Sequence, residues 1–411
     1  VTNRLAPRRR PALRPLSKDI AMAFSQRLSA DYYASVHRDI RARMAEDGVD
    51  VLLLDSNDDV IYTTGFSHYT TERPVVFALT QTAAYLLVPE LERHHALDQE
   101  TAAELVVYFE FPGRDRPFAV LARTVGDVKG TVAHSPGISL ARVGQIEAAF
   151  PNAKVRASGI VGQMRLTKRP EELVLQREAA RISDSMVAAG VAVIDDALRS
   201  GKTMPTEIEI EAHIIRHALD TMYREHEDIM LVQGIAGGLV YSGLRSAFPH
   251  GMPTGHRPQR GESMILSLGC RVGGRAAESE RTFVLGEPSK EQERFYNLAQ
   301  EAQAIGTAGL IVGATCSSAD DRALGFIRDQ GVSEFCLHRV GHGMGVMFHE
   351  PPWVEGGDDT VLLPNMVCSS EPALYVPGLG GFRLADTVLV TGQGPDSLTK
   401  FPRKLDEVIL G

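Results

Sequence analysis

Cysteine is scarce in this 411-residue chain. Its four copies, Cys270, Cys316, Cys336 and Cys368, lie far apart with no C-x-x-C spacing. That excludes a disulfide scaffold or a zinc–cysteine site as the organising principle and fits a reducing compartment. Long apolar runs are missing as well. The longest, such as 51–54 and 187–194 (broken by Gly190), fall far short of the roughly 18 apolar residues of a membrane span. Aromatic residues make up only 6%, with one tryptophan, Trp353. Positive charge is not in excess: the net charge of −9 argues against a nucleic-acid or anionic-membrane partner. No short-period repeat, low-complexity segment or P-loop is present, since the glycines of 234–238 are not followed by Gly-Lys-Ser/Thr. What is there, 44% hydrophobic and 23% charged residues, is ordinary globular composition. The length suits two or three domains of about 150 residues each.

The first residues differ from the rest. Arg4, Arg8, Arg9, Arg10, Arg14 and Lys18 face one acid, Asp19, among three prolines. The prolines oppose a helix and there is no apolar core, so a targeting peptide is disfavoured. Residues 1–27 read as a disordered basic tail, or as an extension upstream of Met22. Residues 28–164 read as an α/β domain. Ser29 to Gly48 predicts an amphipathic helix. Val51–Leu54, 61–65, 75–79, 84–88, 105–109 and 130–133 predict strands, and 140–149 a helix. A second, α+β domain is expected over 165–411. A proline-led helix opens at Pro170, with Glu171 and Glu172 suiting the helix dipole. Further helices open at Thr206-Glu207-Ile208-Glu209, a capping-box pattern, near Ser289 and near Ser318. Strands are expected at 263–268, 281–285, 367–370 and 386–391.

Histidines and carboxylates cluster in four places: Phe248-Pro249-His250-Gly251, Ala277-Glu278-Ser279-Glu280-Arg281-Thr282, Gly341-His342-Gly343-Met344-Gly345 with Phe348-His349-Glu350-Pro351, and Ser370-Glu371-Pro372-Ala373-Leu374-Tyr375. The glycines around His342 oppose a helix and let backbone approach a ligand closely. Two histidines there, next to Glu350, read as an active-site wall. Glu278 and Glu280 alternate on a strand and share a face. Two such carboxylates repel unless a cation, proton or metal lies between them. The competing reading is a solvated strand edge paired with Arg275 or Arg281. Glu371, at a strand end, is either a paired buried acid or a surface one.

Taken in this order, the four segments resemble the creatinase/prolidase/methionine aminopeptidase family. The resemblance implies an α+β pita-bread catalytic domain preceded by a smaller α/β creatinase-type domain. Metal-dependent members of the family hold two ions with two aspartates, one histidine and two glutamates. The matching positions here are Ser267, Glu278, His342, Glu371 and Ala385, so two ligands are replaced. Two divalent ions need bridging carboxylates to offset their repulsion, and Ser267 and Ala385 supply none.

The site is therefore closer to that of metal-free creatinase. That likeness implies His250 as the catalytic proton carrier, with Glu280 and Glu371 gripping a cationic group. It implies a cytoplasmic homodimer, with Arg73, lent by the partner, as a carboxylate ligand. Glu278, His342, His349 and Trp353 would complete the substrate pocket. The creatine contacts at Thr71, Trp353 and Ala385 differ. The expectation is thus a metal-independent hydrolase without cofactor, cleaving a C–N bond of a small cationic or zwitterionic substrate. One alternative is an Xaa-Pro aminopeptidase or dipeptidase using Mn, Co, Zn or Fe on Glu278, His342 and Glu371. The other is a non-catalytic binding protein.

Overall fold

The computed structural model describes residues 24–110, 113 and 115–411. The expected tail lies outside the described residues up to position 23. Its last residues depart from the expectation. Phe24–Ser25 pairs in parallel with His226–Glu227, and Gln26, fully buried, bonds His226 Nδ1 at 2.8 Å.

In the N-terminal domain, Ser29 caps the helix Ala30–Glu46 by accepting from the Tyr32 amide. The six-stranded sheet runs Glu104–Tyr108, Ala84–Pro89, Val76–Thr80, Val51–Leu54, Thr131–His134 and Lys154–Ala157. Val51–Leu54 is antiparallel to Val76–Thr80 and parallel to Thr131–His134. The strand expected at 61–65 is instead part of the helix Asn57–Thr64. Local chemistry decides this. Ser56 accepts from the Asp59 amide, Asp58 and Asp59 suit the helix dipole, and Gly65 closes the helix at φ 72°.

The C-terminal domain is the pita-bread fold, mixed helix and sheet. The path of its main sheet runs Glu350–Val354, Gly341–Gly343, Val367–Ser370, Ala385–Thr391, Arg275–Leu285, Ser263–Val272 and Ala236–Ser242. The helices Pro170–Ser200, Glu207–Glu225, Lys290–Gly309 and Cys316–Asp329 flank it. Their apolar faces close one core with the central strands, including Met186, Ile214, Leu266, Phe283 and Tyr296. Arg275–Leu285 is buried along its whole length, which rules out the solvated edge considered for Glu278 and Glu280. Arg275 pairs with Glu172 and Arg281 with Asp386, not with those glutamates. Among the described residues, no helix is long and apolar enough to cross a membrane. All four cysteines are free.

The two domains meet over a belt of charge. Arg271 pairs with Asp58, and Arg165 pairs with Asp59 at 2.8 Å and also with Glu350. This belt lies directly behind the segment that carries His349.

Candidate active site

Three neighbouring strands set the floor of the site. Ser267 is in register with Glu280, and Glu280 with Ala385. Paired residues point to the same face, so these three stand in one row, with Glu280 in the middle. Glu278, two residues away, shares the face. The short strand Gly341–Gly343 brings in His342, and Glu371 follows Val367–Ser370. A side chain at Gly341 would meet the Ser369 carbonyl at 2.0 Å, and one at Gly345 would meet Glu350 at 2.2 Å. These glycines therefore admit neighbouring protein groups, where the sequence suggested a ligand.

Above the floor is a cavity of about 740 Å³. Its walls include Gly237 and Gly238 of the edge strand, apolar Leu239, Leu337 and Phe348, and polar His250, His338, His349, Glu278, Glu280, Glu371 and Arg383. His342 lies just behind, buried, with its ring stacked on His349 at 3.9 Å. One ligand atom from each of Glu278, His342 and His349 lies within 4.8 Å of the others. His342 Nε2 is 3.2 Å from Glu371 Oε1 and 3.8 Å from Glu278 Oε1. The Glu278 approach is too long and the Glu371 approach is misaligned for a hydrogen bond, so His342 Nε2 and Glu278 Oε1 are buried without a hydrogen-bond partner. His342 Nδ1 lies 3.1 Å from the Gly343 carbonyl. In the charged ring Nε2–H faces the carboxylates, and in the neutral ring protonated on Nδ1 the Nε2 lone pair is left for a cation.

Burial pushes the Glu278 carboxyl up to about 8, with Glu280 and Glu371 adding to the rise. Burial also opposes the charged forms of His342 and Glu371, but their proximity wins: His342 is raised to about 9 and Glu371 held down to about 2. Burial and the adjacent His342 push His349 down to about 4. This cluster of anions and imidazoles is chemistry suited to a cation.

The other half of the floor is already neutralised. Arg383 Nε is 2.7 Å from Glu280 Oε2, and Ser267 donates its hydroxyl to the other carboxylate oxygen. Arg383 Nη1 also lies 3.2 Å from the Tyr375 hydroxyl, which bonds His338 Nε2 at 2.9 Å.

His250 keeps its place in the cavity wall, exposed, in the same lining as Glu278, Glu280 and Glu371. Other sequence-derived assignments change. Trp353 does not line the cavity; it stands behind Arg339, whose guanidinium lies 4.3 Å from its ring centroid. Glu350 faces away from the cavity, toward Arg165 and Lys168. Arg73, expected to serve the partner's cavity, is outside the lining of its own chain's cavity and pairs with Glu110 at 2.5 Å. Sequence reasoning missed Arg383, Tyr375, His338 and Arg339. Tyr375 falls inside a motif already singled out, Arg383 lies two residues before Ala385, and His338 lies four residues before His342, which was the available signal.

Comparison with known proteins completes the picture. Residues 175–392 match the family described as Metallopeptidase family M24, and residues 37–167 match the Creatinase/Prolidase N-terminal domain. An Xaa-Pro dipeptidase of Pyrococcus furiosus is 30% identical over 78% of this chain and 86% of its own length. Among solved structures, an Xaa-Pro dipeptidase from Bacillus anthracis superposes with a TM-score of 0.78 at 26% identity, covering 92% of this chain and all of that one. An X-Pro aminopeptidase from Thermotoga maritima gives 0.78 at 27%, covering 91% of this chain and 99% of that one.

These findings overturn the expectation of a cofactor-free, creatinase-like amidinohydrolase. The similar proteins are Xaa-Pro peptidases, the family matched is one of metallopeptidases, and the floor of the cavity gathers metal-ligating groups. The alternative of a metal-dependent peptidase is the better supported one. A hydrolase fold, its creatinase-type N-terminal domain and the ligand-bearing motifs in their family order together place the chain in metallopeptidase family M24.

Proposed function

We propose that the protein is a metal-dependent peptidase that cleaves an Xaa-Pro bond in short peptides. The observation that carries this reading is the convergence of Glu278, His342, His349 and Glu371 under one cavity. The cavity's volume lies within the usual range for small-molecule sites. Glu278, His342, His349 and Glu371 would hold a divalent cation, which when bound would supply Lewis-acid polarisation of the scissile carbonyl.

The remaining work falls to the chain's own residues. Leu239, Leu337 and Phe348 offer an apolar wall for a prolyl ring. Arg339, steadied by Trp353 and by Glu355 at 2.9 Å, presents a guanidinium to a substrate carboxylate. The hydrogen-bonded pair of His338 Nε2 and Tyr375 hydroxyl can pass a proton to the departing nitrogen. His250 closes the rim over the substrate. In this reading the chain acts as a homodimer, and Arg73 reaches the partner's cavity.

The test is hydrolysis of a panel of Xaa-Pro dipeptides and Xaa-Pro-Yaa tripeptides, followed by chromatography. Protein stripped of metal is compared with protein given Mn, Co, Zn or Fe. Metal-dependent release of the N-terminal residue is the expected result. No cleavage of any Xaa-Pro peptide with any of the four metals refutes the assignment.

A further inference from the structure

The metal site of this chain differs from a two-ion site in a way its strand register makes plain. Ser267, Glu280 and Ala385 stand side by side on three neighbouring strands. Only the middle position carries a carboxylate. That carboxylate accepts from the Ser267 hydroxyl and from Arg383 Nη2 on Oε1, and its Oε2 is ion-paired with Arg383 Nε at 2.7 Å without hydrogen-bond alignment. Arg383 is itself buried and permanently charged. A second divalent ion placed in this row would face a guanidinium with no free carboxylate between them. The residues present do not fit a dinuclear centre.

They do fit one ion. Glu278 Oε1 and His342 Nε2 are buried and lack hydrogen-bond partners. Both face the gap bounded by His349 and Glu371. The charge count agrees. A bound cation displaces the protons of its ligands, so in the loaded site the imidazoles are neutral and Glu278, Glu280 and Glu371 set against Arg383 leave two negative charges. One divalent cation cancels them, whereas two would leave the buried floor with an excess of two positive charges, which a low-dielectric site disfavours.

We infer that the protein binds a single divalent cation, on Glu278, His342, His349 and Glu371, with Glu280 held out of the coordination shell by Arg383 and Ser267. Two imidazoles with two carboxylates suit Zn, Co, Mn or Fe in preference to Mg or Ca. This inference rests on the peptidase reading for its purpose, but its test does not depend on turnover.

The experiment is a titration of the metal-stripped full chain with Co(II). The visible d–d absorption of the bound ion is followed, and the metal per chain is measured by elemental mass spectrometry after gel filtration. The expected result is a sharp break at one equivalent. The variants H349A and E371Q should each weaken binding by about tenfold or more, with circular dichroism confirming the fold. E280Q should leave the break at one equivalent. A break at two equivalents overturns the inference, as does loss of the bound ion in E280Q. Absence of any Co(II) band overturns it as well.

The two ideas fail separately. One bound ion without Xaa-Pro cleavage sinks the proposed function and leaves the single-ion site standing. Two bound ions with cleavage do the reverse.

Discussion

Replacing Glu350 by glutamine should loosen the junction of the two domains while leaving every cavity-lining residue in place. Glu350 is 3% exposed and meets two cations at once. Lys168 Nζ lies 3.1 Å from one carboxylate oxygen, and Arg165 grips the other. Arg165 also holds Asp59 of the N-terminal domain at 2.8 Å. Burial alone would raise the Glu350 carboxyl, but the two cations hold it at about 2, against the usual 4.5. At about 1.4 kcal/mol per pH unit, that difference corresponds to ~3 kcal/mol at neutral pH. Mutational experience with buried pairs gives a compatible figure, ~3–5 kcal/mol when one partner is removed and the other charge is stranded. Lys168, with a side chain 2% exposed, is the group that would be stranded.

The assay is urea unfolding at pH 7, read by the fluorescence of Trp353, the single tryptophan, three residues from the substitution. E350Q should lose ~3 kcal/mol. E350Q combined with Lys168→Met should recover at least ~1 kcal/mol relative to additivity, because both halves of the pair are then gone. The pH dependence has a definite sign. A carboxyl whose folded-state pKa is depressed contributes its full stability above about 4.5, and that contribution fades as the pH falls toward about 2. The gap between wild type and E350Q should therefore be widest near neutrality and close on acidification. A loss below ~1 kcal/mol, typical of an exposed pair, or a gap that widens in acid, would refute the argument.

Dialysis against a chelator should abolish Xaa-Pro hydrolysis, and one equivalent of Co(II) or Mn(II) should restore it, as measured by peptide chromatography. Tyr375→Phe removes the hydroxyl between His338 and Arg383. It should lower kcat by about 10²-fold, the lower end for a proton-transfer role, with KM little changed and the Co(II) spectrum unaltered. Arg73→Ala should raise KM for dipeptides with a small effect on kcat, while sedimentation analysis still shows a dimer. Gly341→Ala forces a methyl against the Ser369 carbonyl. It should cost at least the ~1–3 kcal/mol of an overpacked core, visible as a lowered urea midpoint.

Much of the fold was legible because its signals are local. Ser29, Thr206 and Ser289 announce helix starts through their own hydroxyls, and the structure shows each accepting the expected amide. The one element misassigned outright, 61–65, has an apolar run of strand composition. What makes it a helix lies upstream, in Ser56 and the two aspartates that follow the cap. Pattern alone does not separate a short buried helix from a buried strand. The fourth helix starts at Cys316, two residues before the expected Ser318, because Thr315 takes the capping role. At the site, the motifs were legible and the partnerships were not. That Arg281 would turn to Asp386 while Arg383 turned to Glu280 is decided by strand register across about a hundred residues. No spacing in the sequence encodes that choice.

The loss of two family ligand positions was also visible in the sequence, yet the step from there to a metal-free enzyme does not follow. Counting ligands by position treats a coordination shell as a fixed set of places. A cation requires only that enough donors converge with their lone pairs free. His349 was assigned to the substrate, and its stacking on His342 puts a second imidazole at the carboxylates. The substitutions at 267 and 385 then have a charge-based meaning. Removing two carboxylates from a buried floor while keeping Arg383 lowers the number of divalent ions the floor can neutralise, and the two orphaned atoms on Glu278 and His342 mark where one still belongs. Restoring both carboxylates, by Ser267→Asp with Ala385→Glu, should add the second Co(II) equivalent only if Arg383 releases Glu280. Pairing that double variant with Arg383→Met therefore separates the absence of ligands from the presence of a competing cation.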